Sequence, residues 1–135
     1  MGTGFLIDTN AVIDFLKFEL PSPSMVWMTE MANRQLHTLS VITRIELWSR
    51  PGSPDETQRV VRYLRGSSIL PLDEPVIQET IRLRQLYRRK LPDAIIAATA
   101  LTHGLTLLTR NEADFRGIAG LTVLNPHEAD RLPGL

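Results

Sequence analysis

Phe5-Leu6-Ile7-Asp8-Thr9-Asn10 is the stretch on which the fold turns. Three apolar residues led by Gly4 and stopped by a polar triplet have the length of a short buried strand. Val12, Ile13, Phe15 and Leu16 then recur at helical spacing, so the chain passes from strand to helix just after Asp8. In open α/β sheets, ligands bind in the crevice beyond the carboxyl ends of the strands, where such turns lie. Asp8 is open to two readings, a helix N-cap or a site carboxylate, and the rest of the chain decides between them.

At 135 residues the chain has the length of one domain, enough to bury roughly two-thirds of the surface its unfolded form would expose. It contains no cysteine, which excludes disulfides, thiolate metal sites and a cysteine nucleophile. The N-terminal residues have no basic region and no long apolar run, so no signal peptide is expected. The longest uncharged stretch, Ala94 to Thr109, is broken by His103 and Gly104 and reads as a buried helix followed by a buried strand, not a membrane span. A soluble, cytoplasmic protein is expected. Formal charge is zero, which argues against a simple basic clamp for nucleic acid, yet the distribution is uneven. Eight basic residues face three acidic ones between Thr57 and Lys90, and 13 of the 15 cationic residues are Arg, whose fork suits phosphate.

Working outward from the first strand, Pro21-Ser22-Pro23 breaks the chain, and Ser24 to Asn33 has helical spacing with Met25, Met28 and Met31 on one face, a packing stripe. Leu36 to Ser40 suits a second strand; Ser40 then caps a helix carrying Val41, Ile42, Ile45, Leu47 and Trp48. Ser53-Pro54-Asp55-Glu56 is a well-formed helix start, and Gly66 is expected to cap that helix at its end. Ile69 to Leu72 is a third strand, moved by Pro71 toward a sheet edge or strand end. Asp73 opens a helix with arginines on its outer face, and a further helix is expected from Asp93 to His103, closed by Gly104. Leu105 to Leu108 and Leu121 to Leu124 supply the fourth and fifth strands, and Asn125-Pro126 begins a short tail helix. Strands alternating with helices predict an α/β domain, its central parallel sheet of four to five strands covered by helices on both faces.

In such a sheet every strand ends on the same rim, which collects Asp8 after the first strand and Asn111 and Asp114 after the fourth. Glu46 rides on the helix after the second strand, and Asp93 opens a helix running back toward the start of the fourth, so both can reach that rim. Clustered carboxylates repel one another without a counter-charge. Oxygen-only ligands select a hard cation, Mg²⁺ or Mn²⁺, which lowers the pKa of a bound water and polarises a phosphoryl oxygen. The pattern fits one ion or two, and hydrolysis of a phosphodiester is its natural chemistry. Arg84, Arg88, Arg89 and Lys90, leading into Asp93, are the candidates for gripping a nucleic-acid backbone, with Arg110 and Arg116 nearby.

Leu6 to Asn10, Leu39 to Leu47, Pro92 to Ala100 and Leu108 to Phe115 together resemble the motif blocks of PIN-domain ribonucleases, in particular VapC-type toxins of toxin–antitoxin pairs. The resemblance covers essentially residues 1–135 as one PIN-like domain. It implies a metal-dependent endoribonuclease acting on structured RNA, commonly transfer or ribosomal RNA, a homodimer, and inhibition by a small VapB-type antitoxin. Asp8, Glu46 and Asp93 match the family's metal-binding acids. Where many members have aspartate this chain has Asn111, which offers a carbonyl oxygen but no charge, so Asp114 is expected to supply the fourth carboxylate. Thr9, Asn10 and Thr109 match supporting polar positions, and Asn111 joins them as a hydrogen-bonding residue.

Other residues are read more plainly. His37, His103 and His127 lack zinc-ligand spacing and are read as packing or surface residues, Asp14 as exposed, and Trp27 and Trp48 as core or dimer contacts. No Gly-x-Ser-x-Gly elbow and no phosphate-binding glycine loop is present. Two alternatives accompany the toxin reading: a housekeeping RNA-processing nuclease, and a module that binds RNA or a partner without cutting.

Overall fold

The computed structural model describes residues 4–135, and in it Phe5–Ile7 (β1) is the middle strand of a five-stranded, wholly parallel sheet. On one side lie His37–Ser40 (β2) and Ser68–Leu70 (β3); on the other, Thr106–Leu108 (β4) and Val123–Leu124 (β5), giving the order β3-β2-β1-β4-β5. The register sets Phe5 against His37 on one flank and against Thr106 on the other. Pro71 follows directly on the edge strand β3, where its missing N–H removes no ladder bond.

The strand alternation sorts side chains into two cores. Phe5, Ile7 and Leu108 point to one face, where they meet Ala11 and Val12 of α1 (Thr9–Leu16), Met28 and Met31 of α2 (Ser22–Asn33), Leu47 of α3 (Val41–Ser49), and Tyr63 and Leu64 of α4 (Pro54–Gly66). Leu6 and Leu107 point to the other, against Val76 and Leu83 of α5 (Glu74–Tyr87) and Ile96, Ala97 and Ala100 of α6 (Leu91–His103). The two-residue period of a strand makes β1 the seam between the cores, which is why its three residues are all buried. The alanines of α6 let that helix approach α5 and the sheet closely, and the methionine stripe of α2 packs in the core as its spacing predicts.

The expected helix starts hold in detail. Ser40 Oγ accepts from Ile42 N at 3.1 Å, and Ser53 Oγ accepts from Glu56 N at 3.2 Å. Three expectations are corrected. Helix α6 begins at Leu91, two residues early, because Pro92 fits the first turn, which places Asp93 inside that turn. Gly66 is the last residue of α4 and Ser67 follows as its cap; a Cβ at Gly66 would lie 3.2 Å from the His37 ring, a tight contact. The tail forms only a three-residue 3₁₀ turn, Ala129–Arg131, and not a helix beginning at Asn125-Pro126. Among the described residues no helix is long and apolar enough to cross a membrane.

Candidate active site

The strand order reverses between β1 and β4, and Asp8 and Thr109 sit one residue past the carboxyl ends of those two strands. Main-chain pairing continues to this point: Asp8 N donates to Leu108 O, and Thr109 N to Leu124 O, each at 2.9 Å. A crevice at such a reversal is the usual ligand site of an open α/β sheet.

Both readings of Asp8 are realised by different atoms of one carboxylate. Its Oδ1 caps α1 by accepting from Thr9 N at 2.8 Å. Its Oδ2 accepts from the Thr109 hydroxyl at 2.9 Å and from Asn10 Nδ2 at 3.1 Å. The Thr109 hydroxyl in turn accepts from Asn111 N at 3.1 Å, and Asn10 Oδ1 accepts from Arg110 N at 3.0 Å. Residues 8–10 and 109–111 are thereby stitched together across the reversal.

Glu46, exposed on α3, reaches the same corner: its Oε1 accepts from the Thr9 hydroxyl at 2.6 Å, with Thr43 Oγ1 3.0 Å from that hydroxyl. Asp93 lies half-buried in the first turn of α6, where the helix N-terminus favours an anion. Asp114 ends a short 3₁₀ turn, Glu112–Asp114, and is exposed.

The acids are close enough to feel one another. Burial raises the Asp8 carboxyl above its ordinary value; the Thr109 and Thr9 hydrogen bonds oppose this, and the charges of Asp93 and Glu46 add to it. Burial also raises Asp93, followed by the charge of Asp114 and more weakly that of Glu46, while Lys90 and Arg89 pull the other way. Among the described residues no three His, Asp or Glu side chains already stand together as a cage for an ion. The donor set is nevertheless all oxygen, and its two more buried members are disfavoured as anions by burial and by neighbouring charge. A hard divalent cation reverses both effects, so the residues fit Mg²⁺ or Mn²⁺.

These blocks, in this order on this sheet, have a counterpart among known proteins: residues 5–121 match the family described as PIN domain. The chain belongs to that family. A Rickettsia felis protein named Ribonuclease VapC1 is 41% identical over 76 residues, a stretch covering 52% of this chain and 57% of that protein's length. The fold superimposes on a toxin–antitoxin complex from Klebsiella pneumoniae with a TM-score of 0.74 at 35% identity, covering 93% of this chain and 99% of that one. FitAcB from Neisseria gonorrhoeae gives 0.68 at 27%, covering 92% and 99%. DNA-bound VapBC from Salmonella typhimurium gives 0.76 at 24%, covering 93% and 99%, a likeness of fold.

Within this PIN domain two expectations change. Asp14 is buried, only 2% exposed, and its carboxylate is gripped by Arg110 Nη1 at 2.8 and 3.1 Å and by His127 Nε2 at 2.8 Å. Arg110, expected on an RNA backbone, therefore has its guanidinium turned to Asp14, and His127 is a hydrogen-bond partner of the same carboxylate. Asp14 is four residues after Asn10 on α1, so it faces the same loop, but partners some hundred residues away leave no local trace in the sequence. His37 packs in the core and His103 is exposed, as expected. Trp27 packs edge-on against Phe5 and donates to Pro133 O at 2.7 Å, whereas Trp48 is 59% exposed and lies outside the core.

Proposed function

We propose that this PIN domain is a Mg²⁺- or Mn²⁺-dependent endoribonuclease, the toxin of a type II toxin–antitoxin pair acting in the cytoplasm. The observation that carries the proposal is the coupling of Asp8, Glu46, Asp93 and Asp114 at the β1/β4 reversal, beside the cationic end of α5. The name of the Rickettsia relative supports the ribonuclease part of the reading, and the Klebsiella complex supports the toxin part.

The chain's own groups divide the work. Thr109, Asn10 and the Thr9 amide fix the rotation of the Asp8 carboxylate, and the Thr9 hydroxyl aims Glu46 at the same corner. Asp8, Glu46, Asp93 and Asp114 would hold the cation, which when bound supplies an acidified water and a polarised phosphoryl oxygen. Hydrolysis forms a bond from the water oxygen to phosphorus and breaks the bond from phosphorus to a ribose oxygen, which leaves carrying a proton. Lys90 and Arg89, whose charges partly oppose the rise of the Asp93 carboxyl, are the cations nearest in reach of a phosphate held beside that acid. Arg84, Arg88 and Arg89 line a shallow groove with Ile81 and Gln85 that can follow the RNA backbone, transfer or ribosomal RNA being the expected substrates. Ile45 and Trp48, 55% and 59% exposed on α3, offer an apolar strip for a second copy in a homodimer, and a VapB-type antitoxin is the expected inhibitor.

Asp93→Asn tests the assignment. Cleavage of total RNA should fall at least 100-fold while the melting temperature stays within a few degrees, since Asp93 makes no side-chain hydrogen bond among the described residues. Cutting at the parent rate would refute it. The non-cleaving module predicts no Mn²⁺ uptake by calorimetry in the parent protein.

A further inference from the structure

The Asp14–Arg110–His127 cluster touches none of the four acids, yet it is built into the same corner. Asp14 is the most buried carboxylate of the described chain, and a buried charge is tolerated only where it is paired and hydrogen-bonded. Its two partners come from different segments: Arg110 from the loop after β4, and His127 from the tail after β5, where His127 N also donates to Asn125 Oδ1 at 2.9 Å. One helix thus holds residue 110 twice. Asp14 takes the guanidinium, and Asn10, one turn earlier, takes the main-chain N–H.

That double grip bears directly on the candidate metal site. The amide that accepts from Arg110 N is the one whose Nδ2 donates to Asp8 Oδ2, and the residue before Arg110 is Thr109, whose hydroxyl donates to the same oxygen. The residue after it, Asn111, donates its main-chain N–H to Thr109 and accepts from Asp114 N at 3.0 Å. Displacing residue 110 would therefore disturb both hydrogen bonds to Asp8 Oδ2 and the start of the turn carrying Asp114.

We propose that Asp14, acting through Arg110, is a positioning residue that sets the orientation of the Asp8 carboxylate and the placement of Asp114 for cation binding. The inference rests on the metal-dependent nuclease reading and adds to it a residue outside the four acids. Outer partners that orient metal ligands typically account for about 10- to 100-fold in affinity or activity. Their effect falls on the site, whereas a purely structural ion pair affects only the folding equilibrium.

The test compares the parent with Asp14→Asn, Arg110→Gln and the double variant, measuring Mn²⁺ affinity by calorimetry, kcat and KM on RNA, and the melting temperature. Each single variant is expected to weaken Mn²⁺ binding by about 10-fold and to lower kcat by a similar factor, with KM little changed. The double variant should be no worse than the worse single one, because both changes break one interaction. Melting temperatures that fall while Mn²⁺ affinity and kcat hold would assign the cluster to folding alone and overturn the proposal. A raised KM confined to Arg110→Gln would make Arg110 an RNA contact and overturn it as well. Should Asp14→Asn fail to fold, Arg110→Gln carries the same test, since that side chain is half exposed. A parent that binds Mn²⁺ and cuts RNA while both variants match it defeats this inference only; a parent that takes up no Mn²⁺ defeats the nuclease reading and this inference together.

Discussion

Single side chains in this domain have separate tasks, and His37 illustrates how a titratable group can serve the fold and not the site. It is 1% exposed, its Nε2 lies 2.9 Å from Tyr63 O, and its ring centroid is 4.4 Å from that of Tyr63. A carbonyl accepts only, so Nε2 carries the proton and the buried Nδ1 is left as an acceptor without a partner. Burial pushes the ring below its ordinary value of 6.5, the Tyr63 carbonyl opposing. The sign follows: the unfolded chain takes up a proton near 6.5 and the folded one resists it, so stability present above 6.5 is lost as pH falls toward the lower folded value. His37→Phe should be less stable than the parent at pH 7.5, by about 1 kcal/mol for the lost hydrogen bond. The gap should narrow as pH drops below 6.5, measured by urea unfolding at several pH values. A gap that does not change with pH would place the proton elsewhere. The same contrast explains what the residues alone disclosed. Asp8 could be read as a candidate because it follows a buried strand, Asp93 because it lies at a helix start, and Glu46 only because its stretch resembles a motif block of the family, whereas Asp14 could not, because nothing near it in the chain announces Arg110 or His127.

Secondary-structure elements set where the cationic groove ends. Helix α5 stops at Arg88, whose φ of 52° and ψ of 41° place it in the left-handed region usually filled by glycine. The turn redirects the chain so that Arg89 Nη2 donates to Arg116 O at 2.7 Å and Lys90 precedes the first turn of α6. A side chain in that conformation costs about 1 kcal/mol, which glycine relieves, although glycine also gains freedom in the unfolded chain. Arg88→Gly is therefore expected to melt at or slightly above the parent temperature while binding RNA more weakly. The loss should be largest at low salt, with the slope of log affinity against log salt shallower by about one phosphate contact. Filter binding over a salt series checks it; unchanged affinity would remove Arg88 from the interface. Strand positions and helix starts were readable from short apolar runs and capping residues, and Gly104 at φ 64° closes α6 as its position predicts. The left-handed Arg88 was hidden, since that conformation usually takes glycine, and the early start of α6 was missed although Pro92 in its first turn is a local cue for it.

At the scale of the whole molecule the formal charge of zero conceals a divided surface, with anions gathered at one rim and cations along the adjoining helix. The carboxyls of Asp8 and Asp93 are raised by burial, and the charges around them add to that. A carboxyl with a raised folded value stabilises the fold fully below its unfolded value, here 3.8, and loses that contribution as pH rises through the folded value. Ionising these carboxyls places unfavourable charge at this rim, which a bound divalent cation would offset. Mn²⁺ at a hundred times its dissociation constant should stabilise the fold by about 2.7 kcal/mol at neutral pH, seen as a higher melting temperature that a chelator reverses. As pH falls through the raised values toward 3.8, protons compete with the cation and the Mn²⁺ increment should shrink, with protons released on binding throughout that window. In Asp93→Asn the increment should be smaller at neutral pH and its pH dependence shallower, because one of the two raised carboxyls is gone. An increment that stayed the same from neutral pH down to 4, or that survived Asp93→Asn in full, would mean that the cation binds away from these acids.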